Sequence, residues 1–224
     1  EMPNPGDYKS IEVTGIPILI TRDKNNNVNA FRNVCSHRGA IIAQEGIGNR
    51  SRFSCPYHGW TYSNTGDLIG VTDKSKFGNI DNKCFGLEKL QCKELAGLIF
   101  VSLSRNEDVD FEKFLDGMLP EVEYFDLENW YYHGFKVIDG ANWKIAFDGY
   151  LEGYHFTTAH KDTIATMTMN DIMDFTSFGP HLRIAFASTN ILEIHDLPKD
   201  EWWKKEGCGV DFVRTLFPNI SISL

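Results

Sequence analysis

Residues 35–60 read CSHRGAIIAQEGIGNRSRFSCPYHGW and hold two Cys–His pairs, Cys35 with His37 and Cys55 with His58. Each pair is expected on a loop between short β-strands. Thiolates select zinc or iron–sulfur clusters, and imidazole suits zinc or iron. The stretch therefore predicts a metal centre with two thiolate and two imidazole ligands.

Two kinds of metal centre use this donor set. A zinc finger usually has two cysteines in one half and two histidines in the other, whereas each half is mixed here. Two cysteines on one iron and two histidines on the other form a Rieske 2Fe–2S centre. Gly39 and Gly59 would let the backbone approach the sulfides, and Trp60 would shield the cluster from water. A Rieske cluster is expected, with a zinc site or chance pairing as the alternatives.

The sequence around the two pairs predicts an all-β unit over residues 1–105. The segments GIPILITRD and VNAFRNV flank the turn-forming KNNN at Lys24–Asn27, which predicts a hairpin. The segment GLIFVSL at 97–103 has the β-branched and aromatic content of a buried strand. Short strands joined by tight turns are typical of a small barrel or sandwich.

The second half of the chain predicts a mixed α+β unit over residues 131–224, joined to the first by an acidic, amphipathic connector at 106–130. WYYHGFKVIDGANW at 130–143 favours a strand, residues 144–155 a helix, and 199–205 a helical turn. The chain begins with Glu1 and closes on the strand-like LFPNISISL. We expect both ends to be cut, so that this is a fragment of a longer chain.

Composition and charge exclude several functional classes. With 22 Lys and Arg against 31 Asp and Glu, the formal charge is −9, which disfavours nucleic acid as a partner. The longest apolar run, 95–101, is too short to span a membrane. Without a secretory leader, the five cysteines need not form disulfides and the protein is expected to be cytoplasmic. Cys84, Cys92 and Cys208 are expected to be free or buried thiols.

A second group of metal-binding residue types lies in NWKIAFDGYLEGYHFTTAH at 142–160. On a continuous helix, Asp148, Glu152 and His155 would share one face. His160 would add a second imidazole if the helix ended near Thr157. Two imidazoles and a carboxylate form the facial triad of non-haem Fe(II) oxygenases. By itself the His-x4-His spacing is common, and ordinary helix-surface residues are the alternative.

The segments CSHRGA and CPYHGWTY resemble the two halves of the Rieske motif of ring-hydroxylating oxygenase α subunits. The resemblance includes Arg38 after the first histidine and Trp60 after the second. Residues 142–160 resemble the mononuclear-iron helix of the same family, in the expected order. The resemblance implies an N-terminal all-β Rieske (ISP-type) domain followed by a partial catalytic domain with an antiparallel sheet and helices, of helix-grip type.

The resemblance also implies roles for individual residues. His155 and His160 match the two histidines that bind the mononuclear Fe(II). Glu152 matches the carboxylate that bridges an iron histidine to a cluster histidine, here His58, of a neighbouring subunit. Asp148 occupies a position near the iron. The family's third iron ligand is a carboxylate from a downstream segment that this chain is expected to lack.

The implied activity is a mono- or dioxygenase reaction of aromatic compound catabolism. The oxygenase would use O2 and electrons from a ferredoxin or flavin reductase to hydroxylate an aromatic or other small organic substrate. A homotrimer or an α3β3 assembly is implied by analogy. The competing interpretation is a Rieske electron-transfer protein whose second domain is inactive.

Overall fold

The computed structural model describes residues 1–205 and 209–223, so the expectation for Cys208 lies outside the described residues. The chain divides into two compact units. The first comprises Glu1–Phe111 and Asp126–His133, and the second comprises Glu112–Phe125 and the chain from Gly134 onward. The connector expected at 106–130 thus contributes residues to both units. No helix among the described residues has the length and apolar character needed to cross a bilayer.

The first unit is all-β apart from short 3-10 turns, as expected. A six-stranded antiparallel sheet has the order β4-β1-β2-β3-β8-β9, and a three-stranded sheet has the order β5-β6-β7. The strands are β1 (Asp7–Val13), β2 (Ile16–Arg22), β3 (Val28–Arg32), β4 (Gly46–Asn49), β5 (Arg52–Ser54), β6 (Thr61–Ser63), β7 (Leu68–Gly70), β8 (Lys89–Leu95) and β9 (Leu98–Ser102). The 3-10 turns are Lys74–Phe77, Asn82–Phe85 and Leu127–Asn129.

The predicted hairpin is confirmed and has a clear local cause. Strands β2 and β3 pair with Ile20 opposite Ala30. The Asp23 carboxylate accepts the backbone N–H groups of Asn25 and Asn27 at 2.8 and 2.9 Å, an arrangement typical of Asx turns. The turn therefore forms because one buried carboxylate satisfies the amides that the reversal leaves unpaired.

The core of the first unit includes both cysteines of the Cys–His pairs. Cys35 and Cys55 are 3% and 4% exposed and belong to one cluster of buried side chains. That cluster also contains Tyr8, Leu19, Phe31, Phe53, Trp60, Tyr62 and Leu68. Packing of the apolar core therefore fixes the loops that carry the thiols. GLIFVSL does form a strand, β9, but its side chains are half-buried.

The second unit is a four-stranded antiparallel sheet with short helices, in agreement with the α+β expectation. The sheet has the order β10 (Thr168–Phe178), β11 (His181–Ser188), β12 (Val210–Leu216) and β13 (Ile220–Ser223). The helices are α1 (Phe111–Phe114), α2 (Leu119–Glu123), α3 (Trp143–Gly149) and α4 (Phe156–Ala159). Further 3-10 turns are Ile164–Thr166, Thr189–Ile194 and Lys199–Lys204, and the last confirms the helical turn predicted there.

Two polar contacts join α1 and α2 to this sheet. Glu121 on α2 accepts hydrogen bonds from Arg183 on β11 at 2.5 Å and from Arg214 on β12 at 3.1 Å. His181 is fully buried; its Nε2 lies 2.7 Å from the Phe114 carbonyl, and its Nδ1 accepts the Phe217 N–H at 3.0 Å. His181 is therefore a hydrogen-bonded structural histidine.

Two secondary-structure predictions were wrong. The strand expected at 130–143 is irregular backbone up to the start of α3, and no neighbouring strand pairs with it in the described part of the chain. The helix expected over 144–155 ends at Gly149, and a second helix begins at Phe156. Glycine weakens a helix, and Gly153 packs so closely that a Cβ would lie 3.0 Å from the Asn170 carbonyl. Asp148, Glu152 and His155 therefore do not share one helix face.

Candidate metal centres

The two Cys–His loops of the first unit are built on the same backbone frame. In the first, the Cys35 N–H donates to the Ala40 carbonyl at 2.8 Å and the Gly39 N–H donates to the Cys35 carbonyl at 2.9 Å. Gly39 has a φ of 76°, in the left-handed region that glycine adopts without strain. The loop follows β3 and is closed by a bridge between Val34 and Ile41.

The second loop, between β5 and β6, repeats these contacts. The Cys55 N–H donates to the Trp60 carbonyl at 2.7 Å, the Gly59 N–H donates to the Cys55 carbonyl at 2.9 Å, and Gly59 has a φ of 69°. The histidine follows its cysteine by two residues in the first loop and by three in the second. The two loops therefore have the same backbone hydrogen bonds, but their histidines occupy different positions within the loop.

The structure places the two cysteines in one buried cluster and the two histidine rings side by side. Both thiols lie in the core, while His37 is partly exposed and His58 is exposed. The rings of His37 and His58 are 4.8 Å apart between centroids. Reduced solvent around the ring, then the charges of His58 and Arg38, lower the pKa of His37 and favour its neutral form. A buried pair of thiols and an outer pair of imidazoles match the ligand sets of the two irons in a Rieske centre.

Tyr62 is a contact of the first loop that the sequence analysis missed. Its hydroxyl lies 3.2 Å from the Cys35 Sγ and 2.9 Å from the Ser36 Oγ, and it accepts the Ser36 N–H at 3.2 Å. Burial, then the hydrogen bond with Cys35, raise the pKa of Tyr62 to about 12. The signal was present in CPYHGWTY, because alternation along β6 directs Tyr62 into the core.

Aromatic rings surround the imidazoles unequally. Trp60 is stacked on His37, with centroids 4.8 Å apart and planes 10° apart. The exposed Tyr57 lies 3.9 Å from His58. Trp60 therefore covers His37 and not His58. Arg38 is exposed next to His37.

The second candidate centre lies in the turn between α3 and α4. The Glu152 carboxylate is hydrogen-bonded to Nδ1 of His155 and accepts the His155 backbone N–H at 3.2 Å. Burial tends to raise the pKa of Glu152, but the side-chain and backbone hydrogen bonds from His155 outweigh it and lower this pKa. With its Nδ1 proton held by the carboxylate, His155 has the Nε2 lone pair free for a metal.

His160 completes the imidazole pair. It follows α4 directly, and its ring centroid is 5.2 Å from that of His155. One turn of helix between them therefore puts both rings on the same side, although the longer helix that was expected does not form. Asp148 is exposed on α3, and the structure gives no contact of its side chain with either histidine in the described residues. Its role near an iron stays a prediction.

The donor sets fit the two expected cofactors in different degrees. Within residues 1–205 and 209–223, no three His, Cys, Asp or Glu side chains form a group that could hold a single ion. A Rieske cluster needs only two protein ligands on each iron, and the two pairs in the first unit provide them. A mononuclear iron of the facial-triad type needs a carboxylate besides the two imidazoles. The second centre therefore supplies two of its three ligands from the described residues.

Comparison with protein families gives two matches along the chain. Residues 1–91 match the Rieske [2Fe-2S] domain, and residues 127–224 match the ring hydroxylating alpha subunit (catalytic domain). The α subunit of toluate 1,2-dioxygenase from Pseudomonas putida is 32% identical over 203 residues, which are 84% of this chain and 43% of that protein. The glycine betaine monooxygenase oxygenase subunit of Pseudomonas aeruginosa is 31% identical over 176 residues, 78% of this chain and 41% of that protein.

Solved structures share the fold. The quaternary ammonium Rieske monooxygenase CntA superposes with a TM-score of 0.83 at 24% identity, over 99% of this chain and 57% of that one. Naphthalene 1,2-dioxygenase from Rhodococcus sp. superposes with a TM-score of 0.74 at 26% identity, over 99% and 57%. The chain thus spans less than half the length of the two curated relatives described above.

Proposed function

Because this chain belongs to the family of Rieske ring-hydroxylating oxygenase α subunits, we propose that it forms the electron-accepting and iron-binding part of such an oxygenase. The observation that carries the proposal is the Glu152–His155 hydrogen bond, which leaves Nε2 of His155 available to a metal. A protein that only carried electrons would have no need of this arrangement. The reaction is the hydroxylation of a small organic substrate with O2.

The family's two cofactors are a Rieske 2Fe–2S cluster and a mononuclear iron. We assign Cys35 and Cys55 to one iron of the cluster and His37 and His58 to the other. The support for this assignment is the matched backbone of the two loops, the buried thiols and the adjacent imidazoles. The cluster stores and delivers single electrons, and the mononuclear iron supplies the O2 chemistry.

Within the second unit we assign His155 and His160 to the mononuclear Fe(II), with a carboxylate from elsewhere in the protein as the third ligand. Glu152 orients His155 and has remaining carboxylate lone pairs that can accept another imidazole N–H. His58, exposed on the first unit, is the cluster histidine that would meet Glu152 of a neighbouring subunit. We propose a homotrimer or an α3β3 assembly on this basis, and a ferredoxin or flavin reductase as the electron donor.

The substrate class is proposed from the relatives' names. The toluate, anthranilate and 2-halobenzoate enzymes act on aromatic acids, and the glycine betaine and choline enzymes act on quaternary amines. The sequence of this chain is 31–33% identical to the sequences of these five enzymes. Screening therefore begins with aromatic carboxylates and quaternary ammonium compounds, and product analysis distinguishes mono- from dihydroxylation.

The experiment that tests the proposal is iron analysis with an absorption spectrum on anaerobically purified protein. In protein that includes the third carboxylate ligand, an oxygenase is expected to be red-brown with about three irons per chain, and a carrier with about two. A matched pair of variants makes the count specific: His160→Ala should lose about one iron and keep the cluster spectrum, whereas His195→Ala should lose none. A colourless protein that contains zinc would overturn the proposal.

A further inference from the structure

The stacked pair His37 and Trp60 joins the two Cys–His loops. His37 is in the first loop, and Trp60 closes the second through its backbone carbonyl. Their ring planes are only 10° apart. We propose that Trp60 is a positioning residue, which fixes the plane of the His37 imidazole by stacking and so orients this ligand toward the iron. The proposal rests on the cluster assignment made above.

Trp60 is itself held in place on its other sides. It is 3% exposed, and the rings of Phe77 and Phe85 stand edge-on to it at 5.9 and 5.8 Å. Phe77 also contacts His37 edge-on at 5.9 Å. The indole therefore has little freedom to tilt, and an imidazole stacked on it has little freedom as well.

Trp60 contacts its neighbours through the face and edges of its ring. The Nε1 atom of Trp60 is buried and has no hydrogen-bond partner among the described residues. The flat face of the indole covers the imidazole of His37.

The other imidazole has no comparable support. His58 is exposed, and its aromatic neighbour Tyr57 is 59% exposed and tilted by 32°. At the position equivalent to Trp60, the first loop has Ala40, which has no ring. Trp60 of the second loop therefore positions His37 of the first loop, whereas Ala40 has no ring with which to position His58.

The test compares Trp60→Phe with Trp60→Leu in the cluster-loaded protein. Phenylalanine keeps a flat ring that can stack on His37 but lacks the five-membered ring that carries the N–H, so the electron paramagnetic resonance spectrum of the reduced cluster should stay close to that of the parent. Leucine removes the stacking; broader resonances and a cluster lost about two- to tenfold faster are expected. Phe77→Ala, at a 45% exposed site, should broaden the resonances less, and Ile47→Ala, at an exposed site on β4, should not broaden them.

Two results would overturn the proposal. One is a spectrum that Trp60→Phe and Trp60→Leu alter equally, since a flat ring would then not be what positions His37. The other is a spectrum that neither alters. If Trp60→Leu fails to fold, Phe77→Ala decides, because an unchanged spectrum in that variant removes the support for His37. A parent protein without any Rieske signal would instead refute the cluster assignment, so the two failures are distinguishable.

Discussion

Glu152 and His155 lie three residues apart in the turn between α3 and α4, joined by hydrogen bonds from both the ring and the backbone of the histidine. The two contacts fix the tautomer of His155 and the direction of its Nε2. The arrangement depends on the break in the helix at Gly149. On a continuous helix, the His155 N–H would donate to the carbonyl of Leu151 and not to a side chain.

Glu152→Gln should leave both metal centres occupied and slow electron transfer to the mononuclear iron. The amide keeps one acceptor oxygen for His155 but has no charge to stabilise the imidazole or a second histidine. Loss of such an outer contact reduces activity by about 10- to 100-fold. Single-turnover oxidation of the pre-reduced cluster measures the effect, with Glu193→Gln, an exposed residue paired with Lys205, as the control. An unchanged transfer rate would contradict the bridging role.

Tyr62→Phe should lower the reduction potential of the cluster. A hydrogen bond to a ligand sulfur stabilises the reduced, more negative state. The loss of one such bond, at about 1 kcal/mol, corresponds to roughly 40 mV for a one-electron couple. Spectroelectrochemical titration measures the shift. Tyr8→Phe removes a hydroxyl from the same core that is bonded to Arg50 at 2.7 Å, and it should leave the potential unchanged.

Asp23→Ala should destabilise the first unit in a pH-dependent way. Burial tends to raise the pKa of Asp23, but hydrogen bonds from Asn27, Asn25 and Asn29 lower it below 3.8. A lowered folded-state pKa contributes stability that is complete above 3.8 and lost as the pH falls through the folded value. The expected cost at pH 7 is about 1.5–3 kcal/mol. Urea unfolding of parent and variant should show this difference in the free energy of unfolding at pH 7 and a smaller difference at pH 3.

A control in the same turn separates this effect from a general response to acid. Lys24 is exposed, so Lys24→Ala should change the free energy of unfolding by no more than about 0.5 kcal/mol at either pH. If the free energies of unfolding of Asp23→Ala and the parent differed by the same amount at pH 7 and pH 3, the carboxylate charge would contribute nothing to stability.

His181→Leu should destabilise the second unit by about 2–4 kcal/mol, because it leaves the Phe114 carbonyl and the Phe217 N–H buried without partners. His195, whose side chain is 82% exposed, provides the control variant His195→Leu. Urea unfolding followed by tryptophan fluorescence compares the two. Equal stabilities would mean that these backbone groups find other partners.

The hairpin, which is set by a short stretch of sequence, was predicted correctly. The hairpin at β2–β3 depends on Asp23 and the asparagines beside it, all within the turn. The two Cys–His pairs are equally local, and their spacing alone indicated a metal centre. Glu152 and His155 were also identified, because residue type and spacing mark them whether or not the helix continues.

Features that depend on distant contacts were not predicted. The expected helix ends at Gly149, and Gly153 beyond it packs against the Asn170 carbonyl on β10, a contact between segments far apart in the sequence. Residues 130–141 have a strand-like pattern, but a strand forms only with a neighbour, and a single sequence does not show whether one is present. Tyr62 was overlooked since its partner Ser36 is 26 residues away.

The shared backbone of the two Cys–His loops has a consequence for protein engineering. Because the same hydrogen bonds close both loops, the two sides of the centre differ in the position of the histidine within the loop and in the neighbouring side chains, among them Ala40 and Trp60. Substitutions at these matched positions would alter the polarity and access of water on one side at a time. Positions 40 and 60 are therefore two separate sites at which substitution would change the electronic properties of the centre, while the main chain that holds the sulfur atoms stays the same.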